Sequence, residues 1–327
     1  MKPNIAIIGA GLAGLTLARE LADHANITLF EKARGLGGRM ATRRRDRHRW
    51  DHGAQFFTAR SRAFKTLLRP FIDNGTVVEW RPNITTLSPR QPPYKRPWFE
   101  PHYVATPGMN GLLKAMSPGL NIALQTRVDT LKQEAGKWRL FDDQGAELGE
   151  FDWVISSAPL PQTEVLLPLA ADTYADFGMR PCYALMLTVN DGDLPAWDAA
   201  QVNDSPLRWI AFNHRLPGRD RNLGAVVAHS TADWADAHLE DHQEQVKHTL
   251  TEQFCTLTGV SPNAVQDAQL HRWRYAQANA VENDPEGYVL DAERKLAACG
   301  DWCLGGRVEA AFTSAHRLAA QLIRQGL

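Results

Sequence analysis

An α/β fold is predicted, with a discontinuous parallel-sheet domain and a smaller mixed-sheet α+β domain. Three observations predict it: a glycine-rich turn at residues 9–14, a Gly-Gly-Arg at 37–39, and an apolar run near the C-terminus that ends in Gly-Asp. The first turn, Gly9-Ala10-Gly11-Leu12-Ala13-Gly14, follows the apolar run Ile5–Ile8 and precedes a helical stripe of Leu15, Leu17, Ala18 and Leu21. A second strand, Ile27-Thr28-Leu29-Phe30, ends in Glu31. Strand, glycine turn, helix, strand and acid form a Rossmann-type βαβ unit, with the acid about 20 residues beyond the glycines as a dinucleotide site requires. Gly9 allows the tight turn, Gly11 lets the backbone approach a pyrophosphate, and Gly14 lets helix and strand pack closely. Ala13 opens the helix whose N-terminal amides favour phosphate. Glu31 suits ribose hydroxyls.

The residues after Glu31 narrow the choice of dinucleotide. Glu31-x5-Gly37-Gly38-Arg39 resembles the second fingerprint of a large flavoprotein group, in which the arginine reaches the FAD pyrophosphate. Gly37 and Gly38 let the chain bend back, and Arg39 adds a planar fork suited to phosphate oxygens. Lys32 joins this set. Near the far end Leu296–Cys299 reads as a buried strand, followed by Gly300-Asp301 and then an apolar helix from Val308. In that flavoprotein group the Gly-Asp carboxylate serves the ribityl chain; an Asp before a helix is also an ordinary cap. The helix N-terminus at Val308 would stabilise negative charge at the flavin pyrimidine edge. The three elements together predict non-covalent FAD.

The 327 residues are enough for two domains. A net charge of −1 gives no global reason to expect nucleic acid or an anionic membrane as partner. Arg43-Arg44-Arg45-x-Arg47-x-Arg49 reads as a solvated basic loop, or as an attractor of phosphorylated substrate. Cys182, Cys255, Cys299 and Cys303 lack disulfide or zinc spacing, so reduced thiols in a cytoplasm are expected and no metal. No apolar stretch has the length of a transmembrane helix.

FAD elements at both ends make the cofactor domain discontinuous. Residues 1–60, 105–160 and 286–327 are assigned to it, and 61–104 and 161–285 to the substrate domain. Short strands are read at 121–125, 127–133, 138–141 and 153–156. The last resembles the strand that re-enters the cofactor domain, and Val128 falls where that group places an adenine contact. Pro82, Pro89, Pro92, Pro93, Pro97 and Pro101 within 61–104 suggest a long irregular cover over a site. Strands are expected at 183–189, 208–212 and 225–229. Leu239, Val246, Leu250, Phe254 and Leu257 recur at helical spacing, with Gly259 as stop; that stripe reads as core.

Four further blocks carry a more specific resemblance: Asp51-x-Gly53-Ala54-Gln55-Phe56-Phe57-Thr58-Ala59-Arg60, Thr106-Pro107-Gly108-Met109, His271-Arg272-Trp273-x-Tyr275-Ala276, and Cys299 to Glu309. Together they resemble the renalase branch of the flavin amine-oxidase-like superfamily. The resemblance implies the two-domain fold of p-hydroxybenzoate hydroxylase and the amine oxidases. It also implies an FAD-dependent oxidase of 2- or 6-dihydronicotinamide dinucleotides, which gives NAD(P)+ and passes electrons to O2 to form H2O2. Such a donor becomes aromatic on losing hydride, so positioning and flavin electronics matter more than a general base. There is no second G-x-G-x-x-G, so the nicotinamide ligand would enter a flavin-facing pocket. Phe56, Phe57, Trp98, Tyr103 and Trp302 are candidates for an aromatic box around its ring. Gln55 and Phe56 are placed against the flavin, Gln55 with the substrate carboxamide as its other option. Thr58, Ala59 and Arg60 are candidates for substrate contact, and Met186 for the pocket floor. His229 and His271 read as structural. Two alternatives stay open: an amine or other small-molecule oxidase or desaturase, and a non-catalytic FAD-binding protein.

Overall fold

The computed structural model describes residues 1–97, 99–169, 171–175, 177–279 and 286–327. Its first sheet has six strands in the order Val289–Asp291, Leu296–Ala298, Trp153–Ser156, Asn4–Ile8, Asn26–Glu31 and Ile122–Leu124. All neighbours are parallel except Val289–Asp291, which runs antiparallel to Leu296–Ala298. Strands from three distant stretches of chain therefore meet on either side of Asn4–Ile8.

Side-chain alternation along that strand explains the layering. Ile5 and Ile7 face a helical layer that includes Leu12–Leu21 and Val308–Arg324. Ala6 and Ile8 face the other way, onto Trp138, Leu140 and Phe151 of a three-stranded antiparallel sheet. That small sheet comprises Val128–Glu134, Lys137–Asp142 and Glu147–Phe151. Its third strand was not read from sequence.

The second large sheet has seven strands, ordered Val265–Ala278, Met179–Val189, Ala225–Ser230, Leu207–Phe212, Ala199–Val202, Ile84–Ser88 and Gln91–Lys95. It is mixed, because Ala199–Val202 runs parallel to Ile84–Ser88. Helix Gln243–Thr258 covers one face with Val246, Leu250 and Phe254, and ends where Gly259 turns left-handed at φ 73°. Leu239 lies before this helix.

Residues 61–104 are not an irregular cover. Ser61 caps helix Arg62–Asp73 by accepting from the Phe64 amide at 3.2 Å. Phe64 and Leu68 lie on its buried side. The prolines mislead because Pro92 and Pro93 sit in the edge strand Gln91–Lys95, where a missing N–H costs least. The Phe64 ring packs on Phe312, with centroids 5.0 Å apart. This helix thus joins the layer beside the first sheet, across the boundary expected from sequence. Among the described residues no helix is long and apolar enough to cross a membrane.

Candidate functional site

A cavity of about 1660 Å³ runs from the first glycine turn to the inner face of the second sheet. A single small-molecule pocket spans roughly 300–1,000 Å³, so this one has room for a cofactor and a second ligand.

At one end Gly9 sits at φ +105°, and an added Cβ at Gly14 would lie 2.0 Å from the Gly9 carbonyl oxygen. Gly14 is therefore a packing residue, off the cavity wall, while Gly9, Gly11 and Ala13 line it. Gly11 begins the helix with no side-chain cap, and a Cβ there would meet nothing within 4 Å. Across from it Gly38 adopts φ +51°, its would-be Cβ 3.7 Å from the Gly11 Cα. The two glycine loops leave open backbone facing one channel, which fits a pyrophosphate.

Glu31 is buried on the same wall. Its carboxylate accepts from the Ala10 amide at 2.9 Å and the Ala33 amide at 2.8 Å. A carboxylate offers about four acceptor sites, so capacity remains for ribose hydroxyls. Lys32 donates to Gln162 at 3.0 Å, and burial holds its ammonium below the usual lysine range. Val128 lines this end too.

Midway, Arg39 and Asp301 face each other and pair through both guanidinium nitrogens, one contact at 2.7 Å. Arg39 also donates to the Ala276 carbonyl at 3.3 Å. Gly53 permits this placement, because a Cβ there would lie 1.9 Å from the Arg39 carbonyl oxygen. Val308 lies on the wall at the start of the last helix, which has no side-chain cap. The residues assigned to FAD by sequence thus form a continuous lining, apart from Gly14.

Beyond them the cavity continues along strand Val265–Ala278. Phe56 packs on His102, with ring centroids 4.7 Å apart, and on Trp209 at 5.4 Å. His271 and Trp273 meet edge to face at 4.3 Å. All five residues line the cavity. The Trp209 indole N–H is buried without a hydrogen-bond partner among the described residues. Burial pushes the imidazoles of His229 and His271 down to about 4, helped by Arg208 and Arg43 respectively. Both histidines are neutral at physiological pH. Arg60 is bonded to Glu100 at 2.6 and 2.9 Å. Glu309 accepts the backbone amides of Arg60 and Ser61, at 2.8 and 2.6 Å.

Phe57, Thr58 and Arg60 reach the wall. Four of the other expected substrate residues do not. Trp302 is fully buried, its indole N–H donating to the Ala158 carbonyl at 3.1 Å. Met186 is fully buried with Trp50, Ala225 and Val227. Tyr103 pairs with Phe57 through the backbone, and Ala59 lies off the cavity. Trp98 lies outside the described residues. Gln55 lines the cavity, but its amide is engaged elsewhere: it donates to the Asp51 carbonyl and accepts from Asn213 at 2.9 Å.

Sequence reading missed the polar hub behind Gln55. Asp51 takes Thr42 Oγ1 at 2.5 Å, the Met109 amide at 2.8 Å and Arg219 at 2.5 Å. The Asp51-x-Gly53-x-Gln55 spacing was visible, but nothing local pointed to Asn213 or Arg219. Trp209, Trp273, Arg208 and Arg307 were missed for the same reason. Among the described residues no group of three or more His, Cys, Asp or Glu is placed to hold a metal.

Comparison with known proteins agrees with this architecture. The NAD(P)-binding Rossmann-like domain family matches residues 7–71, and the family described as flavin containing amine oxidoreductase matches residues 98–323. A solved structure from Exiguobacterium sp. 255-15, provisionally described as a protoporphyrinogen oxidase, superposes with a TM-score of 0.80 at 12% identity, covering 99% of each chain. A wild-type putrescine oxidase bound to putrescine gives 0.75 at 14% identity, again over 99% of each chain. At such identities the likeness is one of fold.

Proposed function

The chain belongs to the flavin-containing amine oxidoreductase family, with FAD as its cofactor, and we propose that it oxidises isomeric dihydronicotinamide dinucleotides. The 2- or 6-dihydro form of NAD(P) and O2, with one proton, give NAD(P)+ and H2O2. Bound FAD supplies the two-electron acceptor.

The chain's own residues divide the work. Gly9, Gly11, Ala13 and Gly38 present backbone to the pyrophosphate, and the first helix lends its N-terminal charge. Glu31 holds the adenosine ribose, with Lys32 and Val128 beside the adenosine. Arg39 and Asp301, paired across the channel, serve phosphate and ribityl hydroxyls. In the chamber Phe56 and Trp209 offer faces to a flat ring, with Phe57, Thr58 and Arg60 at its border. Hydride loss makes such a ring aromatic and removes no proton, so neutral His229 and His271 need not act as bases.

One observation carries this reading over an amine: the wall of flat rings formed by Phe56, Trp209, His271 and Trp273, against which a nicotinamide ring can stack. A protonated alkylamine has no such ring to stack. The likeness to putrescine oxidase favours the amine reading as the second choice.

Anaerobic mixing of the yellow protein with 2-, 4- and 6-dihydroNAD(P), and separately with putrescine, tests both. Rapid loss of flavin absorbance with the 2- or 6-isomers alone supports the proposal. Reduction by amines with aldehyde release, and none by the isomers, overturns it.

A further inference from the structure

We propose that Arg307, together with Arg96 and Arg208, is a specificity determinant that selects a phosphate-bearing, anionic substrate in the chamber and rejects cationic amines. The proposal rests on the dihydronicotinamide reading only for the identity of the ring oxidised.

Arg307 sits at φ +150° and ψ 160°, a backbone region that belongs almost entirely to glycine. Five other non-glycine residues of the described chain have positive φ, all between 49° and 57°, the ordinary left-handed turn. None of those five lines the cavity; Arg307 does. Strain of this kind persists where the surroundings impose it, and functional sites are where it gathers. Here it holds a guanidinium on the wall at the N-terminus of the 17-residue helix Val308–Arg324. That terminus adds its own positive end.

The charges around it do not cancel. Of the two carboxylates of the chamber wall, Glu100 is paired by the Arg60 fork, while Glu309 accepts the amides of Arg60 and Ser61 and keeps its charge. Arg272 and Arg274 share Glu240. Arg96, Arg208 and Arg307 have no carboxylate within 4 Å among the described residues, and Arg208 is held by the neutral Gln277 amide at 2.8 Å. Arg307 is near enough to help hold the Glu100 carboxyl down, after the larger effect of Arg60. Arg96 acts likewise on His102, after burial. An ammonium group entering this chamber meets three guanidinium groups without ion-pair partners among the described residues, against the single unpaired charge of Glu309. A phosphate meets forked donors of the right shape.

The test is calorimetric titration of the FAD-loaded enzyme with inorganic pyrophosphate and with putrescine, at low and at high salt. The wild type is expected to bind pyrophosphate, more weakly at high salt, and to bind putrescine less well. Arg307→Gly removes the charge and the strain together, and is expected to weaken pyrophosphate binding at least tenfold. Arg307→Lys keeps the charge and restores most of it. The double variant Arg96→Gln, Arg208→Gln gives a second measure on exposed side chains. Equal pyrophosphate affinity in the wild type and both charge-removing variants overturns the proposal, as does tighter binding of putrescine than of pyrophosphate. Flavin reduction by the dihydronicotinamide isomers is scored separately. Charge-selective binding without reduction leaves this proposal standing and removes the dihydronicotinamide reading. Reduction with KM unchanged in Arg307→Gly does the reverse.

Discussion

Asp51 and Arg219, 168 positions apart, form an ion pair at 2.5 Å with side chains only 1% and 4% exposed. Asp51 also holds Thr42 and the Met109 amide, while its own amide donates to Asn213 at 2.6 Å. Arg219 spends its other nitrogen on the carbonyls of Ala105 and Pro217. The pair therefore ties the loop before Gln55 to two distant segments, and through Gly53 it backs the Arg39 turn. Asp51→Ala leaves a buried guanidinium without its counter-charge. Breaking a buried pair this way costs about 3–5 kcal/mol. A urea titration is expected to show that loss, together with a lower FAD content; an unshifted midpoint would remove the structural role.

Arg39 makes a different prediction, because its pair with Asp301 borders the cavity and Arg39 is 26% exposed. Its proposed role is phosphate contact, so Arg39→Ala is expected to purify folded, by circular dichroism, with FAD well below one per chain. Arg39→Lys keeps the charge without the fork and falls between. Full occupancy in Arg39→Ala would refute the assignment.

The cofactor half was legible in sequence because its chemistry is local. A glycine turn, an acid at the next strand end and a Gly-Gly-Arg are read within 40 residues, and their backbone demands leave few alternatives. The chamber was not, because its walls come from facing sheets. Phe56 meets Trp209 and His102 only after residues 56, 102 and 209 are folded together. Alternation along a strand shows which residues share a face, not which face a cavity opens on. Hence Met186, on a correctly expected strand, lands in the core, and His271 and Trp273 on the wall. The prolines of residues 82–101 hid two strands for a related reason: a proline's cost depends on whether its strand lies at an edge.

Trp302 shows what such an error does to a mutational expectation. Adjacency to Asp301 suggested substrate contact, yet the ring packs edge-on to Phe177 at 5.1 Å and Tyr174 at 6.2 Å, out of the cavity. Trp302→Ala is therefore expected to cost about 3–5 kcal/mol of stability, as large-to-small changes in a core do. Trp302→Phe fills most of the space and loses only the bond to Ala158. Its anaerobic flavin-reduction rate is expected to match the wild type. A slowed rate in that folded variant, with stability intact, would restore Trp302 to the substrate site.

The histidines behind the chamber set a pH dependence of stability. Burial pushes His52 down to about 3, aided by His271, Arg43 and His229, and holds His229 and His271 at about 4. Each falls below the value of about 6.5 for an unfolded histidine. Between those limits the unfolded chain binds more protons than the native one, so stability rises with pH. It is whole above pH about 6.5 and is lost progressively as pH falls toward 4. Each fully buried histidine contributes a slope of up to about 1.4 kcal/mol per pH unit, and half-buried His271 less through solvent screening. Urea midpoints at pH 7, 6 and 5 stay above the range where most carboxylates titrate. They are expected to fall stepwise, and to fall less steeply in His52→Asn. A flat profile from pH 7 to 5 would mean that these imidazoles accept protons without unfolding, and that the packing around His52 is looser than its contacts with His271 and Trp273 describe.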